Sequence, residues 1–133
     1  MNIVVSNVKG GVGKTTTAVY LAAVAAESGW DPVTLVDADR QASSAEWFEQ
    51  RPVEGVELLE APSERTVSRA MSENGAMVVV DTPPGDERIV RAALERADAV
   101  VIPTRAALAL SRGSSASTSE TANFYASKMR YER

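Results

Sequence analysis

A glycine-rich segment near the amino terminus restricts the folds open to this chain more than any other feature. Residues 8–16 read V-K-G-G-V-G-K-T-T, after an apolar, β-rich run at 2–6 and before a helix-forming run at 17–26. The order strand, loop and helix is the context in which a glycine-rich loop binds phosphate. Backbone N–H groups of such a loop face one concavity, at the positive end of the following helix. The alternative is a glycine-rich turn that binds no ligand.

The residue types within this loop suit a nucleotide. Gly10, Gly11 and Gly13 let the backbone approach a ligand and adopt conformations that a side chain would resist. Lys14 supplies a full positive charge for β- and γ-phosphates, and the Thr15 hydroxyl is suitably placed for Mg²⁺. The loop therefore predicts a site for ATP with Mg²⁺.

Two aspartates follow the second predicted strand, at 32–37. Asp37 and Asp39 come at its carboxyl end, which is the edge of a parallel α/β sheet where ligands bind. Two carboxylates this close are unfavourable together unless a cation or a water network shares them, and Mg²⁺ would supply that charge. The alternative is a helix N-terminus capped by acidic residues.

A third motif ends the most apolar predicted strand, at 76–81, which we expect near the centre of the sheet. Asp81 closes this strand and is followed by Thr-Pro-Pro-Gly. An apolar run that ends in aspartate is the Walker B arrangement, in which the strand carries a carboxylate to Mg²⁺, usually through a water. The turn beyond it could sense the γ-phosphate as a switch.

Together these motifs resemble the ParA/MinD family of P-loop ATPases, whose Walker A loop is deviant. The standard P-loop begins with glycine where this chain has Val8, and a second lysine, Lys9, stands at the front of the loop. The resemblance implies that Lys9 reaches across a dimer interface to the partner's nucleotide. It also implies that Asp39 orients or activates the attacking water and that Asp37 lies near the metal. Arg40 replaces the family's usual proline.

The expected site can be stated residue by residue. The catalytic residues are Lys9, Lys14 and Asp39, and the metal residues are Thr15, Asp37 and Asp81. The nucleotide-binding residues are Lys9, Gly10, Gly11, Val12, Gly13, Lys14, Thr15 and Thr16.

The expected fold is α/β, a P-loop NTPase-like parallel sheet flanked by helices on both faces and truncated after the last visible strand. Predicted strands are 2–6, 32–37, 56–59 at an edge, 76–81 and 98–103, and predicted helices are 14–28, 42–50, 63–71 and 87–97. Trp47 and Phe48 are expected to anchor the second helix in the core. Residues 1–110 form the nucleotide-binding domain, and 111–133 a polar segment and terminal helix of the same domain.

Composition excludes several classes of protein. The 133 residues suffice for one domain. The chain has no cysteine and no histidine, so a nitrogenase-reductase-like iron–sulfur role is excluded and proton transfer must use carboxylates, hydroxyls or lysines. The sequence has neither an apolar run of ~18 residues nor a signal peptide, which predicts a cytoplasmic protein without a membrane role.

The family resemblance implies an ATPase of plasmid or chromosome partition that dimerises with nucleotide, meets a ParB-like partner and acts at the nucleoid. It extends to about residue 110, whereas family members are usually longer, and residues that hold adenine are not visible. The alternative is a truncated, hydrolysis-poor regulatory module that binds a nucleotide or a partner. Lys128, Arg130 and Arg133 either suit the dipole of a last helix or form a DNA patch.

Overall fold

The computed structural model describes residues 1–41, 43–73 and 77–104. These ranges contain five strands, β1 (Asn2–Val5), β2 (Val33–Asp37), β3 (Val56–Glu60), β4 (Met77–Asp81) and β5 (Ala99–Val101). They also contain four helices, α1 (Lys14–Glu27), α2 (Ser43–Gln50), α3 (Glu64–Glu73) and α4 (Glu87–Leu94). The strands form one parallel sheet in the order β3-β2-β4-β1-β5.

Both faces of the sheet are covered, because alternate side chains of each strand point to opposite faces. Val4 and Val36 belong to the core beneath α3 and α4. Val5 and Leu35 belong to the core beneath α1, against which Phe48 of α2 also packs. Right-handed crossovers account for this division, since the chain moves towards β3 through α1 and α2 and in the opposite direction through α3 and α4. The expected fold class is confirmed.

The strand order creates a crevice at the carboxyl ends of β1 and β4. These strands are neighbours, yet the chain leaves β1 for α1 on one face and leaves β4 for α4 on the other. Such a switch point is where open parallel sheets bind ligands. Asp81 pairs in register with Val5 on one side and with Asp37 on the other, so the ends of three strands meet beside the glycine-rich loop.

Most element predictions are confirmed with small shifts of their ends, including the edge position of β3 and the central position of β4. The expectation that Trp47 is a core residue was wrong, because its side chain is 36% exposed. The buried face of α2 instead runs through Ser44, Ala45 and Phe48, at the spacing of one helical face, and Trp47 lies away from it. The predicted start of this helix at Ala42 and the predicted terminal helix lie outside the described residues.

Candidate functional site

The glycine-rich loop turns directly into α1. Gly11 and Gly13 have φ angles of 68° and 90°, in the left-handed region that favours glycine. Gly13 is the N-cap of α1, and its carbonyl accepts hydrogen bonds from the backbone N–H and the hydroxyl of Thr17, at 2.9 and 2.8 Å. The first turn of α1 contains no acidic residue, and no side chain caps the helix. Its N-terminal N–H groups therefore face the cavity as donors for an anion.

A cavity of about 430 Å³ brings together residues from all three sequence motifs. Its lining residues are Gly10, Gly11, Gly13, Lys14, Thr15, Thr16, Asp39, Gln41, Thr82 and Pro84. A larger cavity, of about 520 Å³, lies at the opposite end of α1 and contains none of the predicted site residues. The smaller cavity is the candidate site, because among the described residues only its lining combines the N–H groups at the start of α1, the Lys14 ammonium group and the Asp39 carboxylate.

The Lys14 side chain is buried within the loop. Its Nζ donates a hydrogen bond of 2.9 Å to the carbonyl oxygen of Lys9. Burial lowers the pKa of Lys14, while the negative charges of Asp81 and Asp39 partly oppose this effect. A partly desolvated ammonium group interacts more strongly with a phosphate than one surrounded by water.

Asp81 joins the loop to α2 through a single carboxylate oxygen. Its Oδ2 accepts hydrogen bonds from the Thr15 hydroxyl at 2.7 Å and from the Ser44 hydroxyl at 2.6 Å. Asp81 is only 2% exposed. Burial raises its pKa, and the hydrogen bonds from Ser44 and Thr15 oppose that rise. The structure thus keeps an acidic group at a position where ionisation is costly without a nearby cation.

The oxygens of this cluster fit Mg²⁺. A hydroxyl and a carboxylate are hard oxygen ligands, and Mg²⁺ is usually held by one or two of these together with water and phosphate oxygens. In the described part of the chain, no three His, Cys, Asp or Glu side chains group closely enough to hold a metal ion. A cation beside Thr15 and Asp81 would therefore depend on oxygens from its ligand and from water.

Asp37 and Asp39 occupy different environments despite their proximity in sequence. Asp37 is buried, and its two oxygens accept hydrogen bonds from the backbone N–H groups of Asp39 and Ala45, at 3.0 and 2.9 Å. Burial raises its pKa more than these hydrogen bonds lower it. Asp37 thereby caps the first turn of α2, as the acidic-cap alternative expects, and it does not line the loop cavity. Asp39 is half-buried and lines that cavity.

Lys9 lies at the front of the loop with its side chain exposed. Its backbone N–H donates a hydrogen bond of 2.9 Å to Oδ1 of Asn7. Asn7 and Ser44 are site residues that the sequence prediction missed. A polar residue just before or after a motif gives no sign of a partner in a distant element, and only the folded chain reveals these contacts.

Known proteins match this chain over most of its length. The family model described as the CobQ/CobB/MinD/ParA nucleotide binding domain matches residues 3–122. The maintenance of carboxysome distribution protein A of Gloeobacter kilaueensis is 43% identical over 105 residues, which are 77% of this chain and 48% of that protein. Protein ParA of Rhizobium radiobacter is 36% identical over 107 residues, again 77% and 48% of the two chains. The chain thus spans about half the length of these relatives.

Solved structures show the same fold. A putative plasmid partition protein of Borrelia burgdorferi B31, bound to AMPPNP, matches with a TM-score of 0.74 at 20% identity, over 96% of this chain and 69% of its own. The cobyrinic acid a,c-diamide synthase of Mycobacterium smegmatis, with bound ADP and magnesium, matches with a TM-score of 0.68 at 23% identity, over 93% and 67%.

Proposed function

Since this chain belongs to the CobQ/CobB/MinD/ParA family of nucleotide-binding domains, we propose that it is a ParA-like ATPase. It binds Mg²⁺-ATP, dimerises with nucleotide and acts in the partitioning of plasmid or chromosomal DNA. The observation that carries the proposal is the single cavity lined by the glycine-rich loop, Asp39 and the residues after Asp81. Similarity to a ParA protein and to a carboxysome distribution protein supports the partition class.

Binding of the triphosphate would depend on the loop and on Lys14. The N–H groups at the start of α1 donate to phosphate oxygens, and the Lys14 ammonium balances their charge. Thr15 would hold Mg²⁺ directly, and Asp81 would hold it through a water. Mg²⁺ supplies positive charge to the phosphates when it is bound. Asp37, at the end of the strand next to that of Asp81, would also lie near the metal.

Hydrolysis would require a positioned water. Asp39 lines the cavity and is held by a hydrogen bond from the Gln41 backbone N–H to its Oδ1, at 3.0 Å. Its carboxylate would accept a hydrogen bond from the water that attacks the γ-phosphate. Lys14, and Lys9 of a second copy of the chain, would stabilise the charge on the transferred group.

The proposed cellular setting follows from the family. A ParB-like protein would stimulate hydrolysis, and the dimer would work in the cytoplasm at nucleoid DNA. No helix in the described ranges is long and apolar enough to cross a membrane.

The test is a titration with a fluorescent ATP analogue and Mg²⁺. We expect Lys14→Ala to weaken binding on the order of a hundredfold, because it removes a charged hydrogen-bond donor to the phosphates. Arg51→Ala removes an exposed cation outside the cavity and should leave the affinity unchanged. Equal affinity of the wild type and Lys14→Ala would contradict the proposed site. Binding by the wild type without any turnover would support the regulatory module instead.

A further inference from the structure

The backbone of Lys9 is held at both of its polar groups, whereas its side chain is not. The N–H donates to Asn7 Oδ1 and the carbonyl accepts from Lys14 Nζ, each at 2.9 Å. The ammonium group of Lys9 forms no ion pair with any residue in 1–41, 43–73 or 77–104. A residue with a fixed backbone and a side chain that forms no ion pair is suited to binding a group outside its own chain.

Asn7 is the group that fixes the N–H end of Lys9. It is only 4% exposed, and its Nδ2 donates a hydrogen bond of 2.9 Å to the carbonyl of Pro103, beyond the end of β5. The amide orientation is determined by these contacts, because only the oxygen can accept from an N–H and only the NH₂ can donate to a carbonyl. Asn7 thus joins the front of the loop to the chain that leaves the neighbouring strand.

We propose that Asn7 is a positioning residue for Lys9. Asn7 accepts from the Lys9 N–H and donates to the Pro103 carbonyl, and these two hydrogen bonds fix the loop backbone from which the Lys9 side chain extends. The inference rests on the proposed function for the target of Lys9, which is the nucleotide of a second copy of the chain. The anchor itself exists in the single chain without nucleotide and can be measured there.

Asparagine is the residue type that meets both requirements. Aspartate at position 7 would keep an acceptor for the Lys9 N–H but would lose the donor to Pro103, and alanine would lose both. The two substitutions therefore separate the two halves of the anchor.

Hydrogen exchange of the Lys9 backbone amide, in the full chain without nucleotide, tests the anchor directly. We expect exchange on the order of tenfold faster in Asn7→Ala, because the Lys9 amide loses its acceptor. Asn7→Asp should retain most of the protection. Asn2→Ala is the matched control, since Asn2 also donates through its side chain to two carbonyls, those of Met71 and Arg96, at the far end of β1. Unchanged exchange in Asn7→Ala would overturn the inference.

A double-mutant cycle tests whether the anchor acts through Lys9. We expect Asn7→Ala to weaken Mg²⁺-ATP-dependent self-association on the order of tenfold, and to have no further effect in a Lys9→Ala background. A general loss of stability would instead weaken association equally in both backgrounds, and that result would overturn the positioning role. Asn2→Ala shows the effect of lost stability alone, measured by thermal unfolding.

The two measurements also separate this inference from the proposed function. If Lys9→Ala associates as well as the wild type, the proposed role of Lys9 between two copies fails. The hydrogen-exchange measurement then tests only whether Asn7 fixes the Lys9 backbone. If Lys9→Ala weakens association while Asn7→Ala has no effect on it, the proposed function stands and the inference about Asn7 fails.

Discussion

At the scale of single residues, the buried carboxylate of Asp81 lowers the stability of the folded chain when it is ionised. Burial raises its pKa above the ordinary value of 3.8, so the folded chain holds this proton more tightly than the unfolded chain does. The contribution of Asp81 to the free energy of unfolding is therefore most favourable below pH 3.8. It is lost as the pH rises through the raised pKa of the folded state.

We predict that Asp81→Asn stabilises the protein while it abolishes the Mg²⁺ dependence of ATP binding. The amide keeps an oxygen for the hydroxyls of Thr15 and Ser44 but carries no buried charge. The gain at neutral pH should be on the order of 1 kcal/mol and should vanish below pH 3.8, where Asp81 is protonated. Thermal unfolding across a pH series measures it. Glu57→Gln, which changes an exposed residue of β3, is the control. A loss of stability that is equal at every pH would contradict the prediction.

The sequence was sufficient to expect Lys14 and Thr15 at one site, but it did not predict the contacts that hold them. Lys14 and Thr15 are recognisable because a phosphate loop uses residues at fixed, short spacings, and both line the cavity. The Nδ2 of Asn7 and the hydroxyl of Ser44 have partners that are 96 and 37 positions away. Side chains of their type have partners throughout proteins, so local spacing contains no signal for these two.

At the scale of elements, α2 is attached to the ends of two adjacent strands. Asp37, at the end of β2, accepts from the N–H of Ala45, and Asp81, at the end of β4, accepts from Ser44. The first turn of this helix and the oxygens proposed for Mg²⁺ are therefore parts of one hydrogen-bonded cluster. A movement of α2 would change the donors available to Asp81.

We predict that Ser44→Ala weakens ATP binding several-fold in Mg²⁺ and leaves binding in EDTA unchanged, because Asp81 loses one of the donors that orient it. Ser63→Ala is the matched control. It removes a side chain that accepts from the Thr66 N–H at the start of α3, which should lower stability by about 1 kcal/mol without altering affinity. Thermal unfolding and ATP titration measure both effects. Equal affinities of the two variants in Mg²⁺ would contradict the role of Ser44.

For α2, the residue range was predicted more accurately than the buried face. The existence of the strands and their order along the chain follow from short apolar runs between helical segments, and the structure contains these strands in that order. The face of α2 was mispredicted because tryptophan is usually buried, whereas this eight-residue helix is oriented by its contacts at Ser44 and Ala45. Tertiary contacts at one end of a short helix outweigh the preference of a single large side chain for burial.

At the scale of the whole molecule, our proposal requires a second copy of the chain to complete the site. We predict that Lys9→Ala binds Mg²⁺-ATP with nearly the wild-type affinity but dimerises on the order of a hundredfold more weakly, because it lacks the ammonium group that would contact the partner's nucleotide. Lys9→Arg keeps the charge and should retain part of the association. Sedimentation with and without Mg²⁺-ATP measures the mass. If Lys9→Ala dimerises as well as the wild type, this lysine does not contribute to the interface.

The strand order also determines when the loop can form during synthesis. β1 emerges from the ribosome well before its two hydrogen-bonding neighbours, β4 and β5, which come from residues 77–101. Until the ribosome has released that part of the chain, the segment that leads into the phosphate loop has no strand beside it. Closing so long a separation slows folding and leaves an apolar strand exposed to other chains meanwhile. The residues of β1 therefore gain their neighbouring strands only late in synthesis, and nascent chains that stop before β4 cannot complete the cavity beside the glycine-rich loop.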